Sequence, residues 1–223
     1  MTKIAILGAG KVGTALARVA VEAGFRVDIA GSGSPDRIRL IVEVLAPGAH
    51  PTTAAKAVVG ADLVVLAVPL HRFGQLDTGL LSGHVVLDIM NYWTPIDGEV
   101  SEFDEAPEGT SVLVQRAIPG ARVVKTLNHV GYHELEEQRR PVGAPDRVAL
   151  GVVGDDADAV AQVLAFVERI GFDAIDGGPL ANGIALQPGS PLFGAPYSAG
   201  RFRELLAEQR EPAEQRERAE IAA

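Results

Sequence analysis

Cysteine is absent from this 223-residue chain. That removes disulfides, thiolate zinc sites, thiolate-ligated iron–sulfur clusters and cysteine nucleophiles together. Aromatic residues are scarce at 5%, which disfavours a platform for stacking nucleic-acid bases. Positive charge is outweighed. The 20 Lys and Arg against 29 Asp and Glu leave a net −9, so the chain as a whole is not built to neutralise a phosphate polymer. Long apolar runs are missing as well. The longest, Leu63 to Leu70, falls far short of the ~20 residues a membrane helix needs. Ile4 to Leu7 is too short for a secretory signal. The expectation is a cytoplasmic protein with neither a nucleic-acid nor a membrane partner.

What is present is ordinary globular usage, 47% hydrophobic and 22% charged, which excludes general disorder. The apolar content is mostly Ala, Val, Leu and Ile, with 25 glycines. Lys3 to Leu7, Arg26 to Ala30, Asp62 to Val68, Val85 to Ile89, Arg122 to Leu127, Arg147 to Val153 and Phe172 to Ile175 read as short strands. Helical stretches fall between several of them: Thr14 to Ala23, Asp36 to about Leu45, a short one to about Val59, and Asp155 to Ile170. Asp36 and Thr52 or Thr53 are the candidate caps. Strands alternating with helices predict βαβ units. The predicted fold class is therefore α/β, a Rossmann-type doubly wound and mainly parallel sheet. Residues 1–180 form the nucleotide-binding domain. Residues 181–223 form a C-terminal extension: a Gly- and Pro-rich wrap, a helix over Ala199 to Gln209, and a charged stretch from Glu211 to Ala223.

Gly8-Ala9-Gly10-Lys11-Val12-Gly13 directly follows a strand and opens a helix. That context turns a common pattern into a dinucleotide fingerprint. Gly8 permits the tight turn, Gly10 lets the backbone approach a pyrophosphate, and Gly13 lets the helix pack on the sheet. The N–H groups of Lys11, Val12 and Gly13 then face the anion. An NAD-selective loop would place a carboxylate at the end of the second strand, but Asp28 comes early. Ser32, Ser34 and Arg37 follow instead and suit a 2′-phosphate, so NADP is the expected cofactor.

The other strand ends should line the far half of the cleft. Val68-Pro69-Leu70-His71, Asn91-Tyr92-Trp93 and Asn128-His129, with Tyr132 and His133 a turn later, collect polar and aromatic groups there. Val68, Pro69, Leu70, Asn91 and Asn128 are expected on the cofactor. His71, Trp93, His129 and Tyr132 are expected in the substrate pocket. His129 and His133 are the candidate acid–base residues for an alcohol–ketone substrate. Four apart, they lack a third ligand and the glutamate of a His-Glu-x-x-His site, so no metal is expected.

The glycine loop, Gly31-Ser32, Ala67-Val68-Pro69, Gly154-Asp155-Asp156 and Asp176-Gly-Gly-Pro-Leu180 succeed one another along the chain. Over about residues 1–185 they resemble the NADP oxidoreductase family that uses coenzyme F420, a deazaflavin. The resemblance implies hydride transfer between NADPH and a deazaflavin, with the family's phosphate-binding serine at Ser32 and a basic position at Arg37. Such a transfer needs positioning more than proton exchange. Three places depart from the family: Gly33, where a basic residue is usual, Asn91-Tyr92-Trp93, and Pro188 to Tyr197 in place of the usual C-terminal helices. Two alternatives stay open. One is an NADP-dependent reductase of a small imine, ketone or flavin. The other is a non-catalytic NADP(H)-sensing module. A homodimer is the base-rate expectation for the assembly.

Overall fold

The computed structural model describes residues 2–209. The charged stretch from Glu211 onward lies outside the described residues. Eight strands form one sheet in the order β3-β2-β1-β4-β5-β6-β7-β8. These are β1 Lys3–Leu7, β2 Arg26–Ala30, β3 His50–Thr52, β4 Leu63–Leu66, β5 Val85–Asp88, β6 Arg122–Lys125, β7 Ala149–Gly154 and β8 Asp173–Asp176. All neighbours are parallel except β6 and β7. The α/β Rossmann-type class read from the sequence is thus the observed one.

Both faces of the sheet are covered, which is why its strands are apolar throughout. Side chains alternate across a strand, so Ile4 and Ile6 enter one buried layer while Ala5 and Leu7 enter the other. The first layer takes the inner faces of α1 (Lys11–Glu22), α2 (Arg39–Leu45) and, at the far end, Val160, Val163, Phe166 and Val167. Those four belong to a later helix, Ala157–Arg169. The second layer takes α3 (Ala54–Val58) and side chains of the C-terminal wrap. Burying one such Leu, Ile or Phe stabilises by ~1.5–3 kcal/mol.

The remaining helices are α4 (Thr94–Asp97), α5 (Ser101–Asp104), α6 (Thr110–Ala117), α7 (Glu134–Glu137), α8 (Ala157–Arg169) and α9 over 199–209. β3 and the four helices α4 to α7 have no counterpart in the sequence expectation. β3 is three residues with Pro51 at its centre, too short and mixed to show a period. α6 lies in a stretch that carries no strong cap: Gly109 precedes it without a side-chain hydrogen bond. The cap expected at Asp36 is corrected. Ser34 accepts the Asp36 N–H at 3.3 Å and starts a 3-10 turn, Pro35–Arg37, ahead of α2. Asp156 caps α8 by accepting the Ala159 N–H at 2.8 Å. Its neighbour Asp155 instead accepts from the Leu180 N–H at 2.9 Å, tying the start of the wrap to the sheet. Leu186, Leu192, Phe202, Leu205 and Leu206 of the wrap are buried in the second layer. Among the described residues no helix is long and apolar enough to cross a membrane.

Candidate functional site

Strand order reverses between β1 and β4, and at that point the loops after the two strands part to leave a crevice. The glycine loop occupies it. Gly8 has φ +129° and donates its N–H to the Ala30 carbonyl at 2.8 Å. A Cβ there would overlap the Ala67 carbonyl, and one at Gly13 would overlap the Gly8 carbonyl. Both glycines are therefore demanded by packing. Gly10 differs: a Cβ there would meet nothing within 4 Å. Its freedom is spent on open space in front of α1. That helix has no side-chain cap and no acid in its first turn. Its first backbone N–H to find a partner is Thr14, on the Gly10 carbonyl at 2.9 Å. The N–H groups of Lys11, Val12 and Gly13 are left facing the crevice, the donor set an anion requires.

Three cavities run in series along the crevice. The first, of about 500 Å³, is lined by Gly8 to Gly10, Gly31, Ser32, Gly33, Val68, Pro69 and Arg72. The second, of about 340 Å³, shares Gly10, Val68 and Pro69 and adds Lys11, Val12, Met90, Asn91, Trp93 and Asp97. The third, of about 300 Å³, shares Val12 and Asn91 and adds Leu127, Asn128, His129, Tyr132, Glu134 and Phe193. An elongated ligand can therefore cross the glycine loop and reach an apolar chamber, itself adjoining a further chamber.

Most expected site residues meet in this trough, but Gly13, Ser34, Arg37, Leu70, His71 and His133 do not line it, so His71 is not a wall of the substrate pocket as expected. Leu70 is 1% exposed and packs in the second core layer. Ser34 serves the 3-10 turn. Arg37 lies alongside Gly33, its Nη1 3.5 Å from where a Cβ would stand, but does not line the cavity. Asp28 is off the crevice, as its early position suggests, and is paired to Lys3 at 3.0 Å.

The histidines are placed in contrasting ways. His129 is buried, and its Nε2 accepts the Gly151 N–H at 3.1 Å while Nδ1 lies 3.4 Å from Asn128 Oδ1. Burial, with the Lys125 cation nearby, pushes it down to about 3. It is a neutral imidazole whose only basic lone pair is already engaged. His133 is exposed and lies tilted against Tyr132 with ring centroids 4.1 Å apart. His71, on a 3-10 turn Leu70–Gln75, holds Asp97 through Nδ1 at 2.6 Å. Asp97 also accepts the Trp93 N–H at 2.7 Å. Burial alone would raise the Asp97 carboxyl. The hydrogen bonds from His71 and from the Trp93 and His71 backbones outweigh it and hold the group below its usual value.

Asn91 and Asn128 bond each other. Asn91 Nδ2 donates to the Asn128 carbonyl at 2.6 Å, and Asn128 Nδ2 donates to Asn91 Oδ1 at 3.0 Å and to the Leu186 carbonyl at 2.6 Å. They form a hydrogen-bonded floor between β5, β6 and the wrap. Beneath it lies a buried pair that carries no signal in the sequence. Lys125 and Asp88 are both fully buried, Nζ to Oδ2 at 3.4 Å, and Lys125 also donates to the Met90 carbonyl at 3.0 Å. Burial lowers the Lys125 ammonium against the pull of Asp88. Ser111 donates to the same carboxylate at 2.6 Å. Sequence reasoning missed Asp97, Phe193 and Lys125, and it placed Arg72 and Asp88 at strand ends without assigning them a role.

Trp93 is 44% exposed and lies stacked near Phe193, centroids 6.4 Å apart and planes at 23°. Leu127 lines the third chamber with φ +62°, a left-handed backbone unusual for a branched side chain. Strain of this kind concentrates where a site is built.

No functionally curated protein gives a significant match. Among solved structures, a hypothetical protein, SMa0349, from Sinorhizobium meliloti superimposes with a TM-score of 0.75 at 28% identity, covering 88% of this chain and 95% of that one. A protein from Arthrobacter sp. FB24, provisionally named an F420-dependent NADP-reductase, gives 0.69 at 25% identity, over 89% and 100%. An imine reductase from Pseudomonas sp. gives 0.55 at 17%, over 80% and 56%, a likeness of fold alone. Residues 3–92, which carry the glycine loop, β1 to β5 and the floor residue Asn91, match the model of the family described as coenzyme F420-dependent NADP oxidoreductases, the family the motifs resemble.

Proposed function

We propose that this chain is an NADP-dependent oxidoreductase that passes a hydride between NADPH and a planar acceptor, with the F420 deazaflavin as first candidate. The observation that carries the reading is the continuous trough that runs from Ser32 past the uncapped start of α1 into the apolar chamber under Trp93. The family match supports both the dinucleotide and the deazaflavin.

Bound NADPH supplies the hydride from its nicotinamide ring. The protein's part is placement. Backbone N–H groups of Lys11 to Gly13 hold the pyrophosphate, and the bare Gly10 lets it approach. Lys11, whose Nζ lies 5.7 Å over the Tyr132 ring, adds a cation beside it. Val12, Val68 and Pro69 form an apolar wall for a flat ring. The Asn91–Asn128 pair sets the floor, and Trp93 with Phe193 shields the outer side. His129, with its lone pair engaged, takes no part in proton transfer in this scheme, consistent with an acceptor that needs only hydride and solvent protons.

A second reading rests on Asp97. An ionised carboxylate at the wall of a chamber of about 340 Å³ suits a compact cationic iminium as acceptor. One assay separates the two. Enzyme and NADPH are mixed with oxidised F420 and, in parallel, with a cyclic imine. Bleaching of the deazaflavin's visible absorbance supports the first reading. NADPH consumption with imine alone supports the second. Tight NADPH binding without turnover of any acceptor sinks both and leaves a sensing module. The homodimer is likewise our proposal, tested by sedimentation.

A further inference from the structure

The cleft must hold phosphate in a chain of net charge −9, so the cations that remain free there carry information. Most described Lys and Arg side chains are spent on carboxylates, including Lys3, Arg18, Arg39, Arg139, Arg140 and Arg147. Arg72 is not: among the described residues it pairs with no carboxylate. It lines the same chamber as Ser32 and Gly33, from the opposite wall, on the turn that follows β4.

One neighbour orients it. Arg72 Nε donates to His71 Nε2 at 3.4 Å. His71 is in turn anchored through Nδ1 to the buried Asp97 carboxylate at 2.6 Å. A guanidinium oriented by such a chain gives up less freedom on binding than a free surface arginine. Its remaining N–H donors are unpaired and suited to fork onto phosphate oxygens. Across the chamber, the second-strand loop offers the Ser32 hydroxyl but no side chain at Gly33. Arg37 stays outside the lining.

We propose that Arg72 is the cation that reads the 2′-phosphate, so that NADP is distinguished from NAD by the wall after β4, with Ser32 facing it. His71 is a positioning residue for it. This rests on the reading of the trough as an NADP(H) site. The same chain, Arg72–His71–Asp97–Trp93, runs from the phosphate end of the trough to the wall of the apolar chamber.

The test is equilibrium binding of NADPH and NADH to the full chain, wild type against Arg72→Gln, Arg72→Lys and Arg37→Gln, with thermal melts confirming folding. Losing a charge-assisted phosphate contact should weaken NADPH by about ten- to a hundredfold in Arg72→Gln. NADH should change by less than about twofold, because it offers that arginine no phosphate. Arg72→Lys should keep part of the preference, which decides the matter if the glutamine variant melts early. Equal loss for both nucleotides would mean adenine stacking or a purely structural role and overturns the proposal. So does a preference abolished by Arg37→Gln and untouched at Arg72. Wild-type protein that binds neither nucleotide, or prefers NADH, removes the underlying reading of the trough and the proposal with it.

Discussion

At the scale of single residues, the glycine loop separates fold from function. Gly13→Ala drives a Cβ into the Gly8 carbonyl and should destabilise by ~1–3 kcal/mol, the cost of overpacking. Gly10→Ala meets open space and should cost under ~1 kcal/mol as a helix cap, yet crowd the pyrophosphate. Melting curves and NADPH titrations of the two variants should therefore show opposite patterns. His129 makes a second prediction. It stays neutral down to about 3 in the folded chain, against an ordinary value of 6.5 when unfolded. Stability from this group is fully present above about 6.5 and is lost as pH falls towards about 3, by up to ~1.4 kcal/mol per unit. His129→Gln can still accept from the Gly151 N–H but takes up no proton. Its melting temperature should fall less than wild type's between about pH 7 and about pH 4.5.

At the scale of elements, β5 and β6 are joined below the cleft by Asp88 and Lys125, both fully exchanged from water for each other, Ser111 and the Met90 carbonyl. Removing one partner strands a buried charge. Lys125→Met should cost about 3–5 kcal/mol, and adding Asp88→Asn should restore most of it, as read from urea denaturation. This pair also marks where the sequence stops being legible. The βαβ units could be read because their signals are local: apolar runs, a glycine loop against a strand, Gly24 past the end of α1. Lys125 looks like any strand-terminal lysine until Asp88 is known to lie on the adjacent strand. Asp97 and Arg72 acquire meaning only once the loops after β4 and β5 are brought together through His71. His129 could be read as a candidate base because its position after β6 is right. Which atom its lone pair meets depends on Gly151, 22 residues away on the antiparallel β7. The trough's location was therefore legible, and its electrostatics were not.

At the scale of the whole molecule, the segment beyond residue 180 completes the core. Leu186, Leu192, Phe202, Leu205 and Leu206 are each under 7% exposed. At ~1.5–3 kcal/mol per side chain, their loss rivals the ~5–15 kcal/mol that holds a whole domain. A chain ending at residue 180 should lose its cooperative melt and be digested readily in limited proteolysis, while the full chain resists. The sheet's two rims have a different consequence. One rim is the three-residue β3 with a proline at its centre, which cannot donate at that position. The other is β8, four residues bounded by Asp173 and Asp176. Neither presents a long unpaired ladder on which a neighbouring chain could add strands. Among the described residues, self-association by sheet extension, and with it templated growth into fibrils, is therefore disfavoured at both rims.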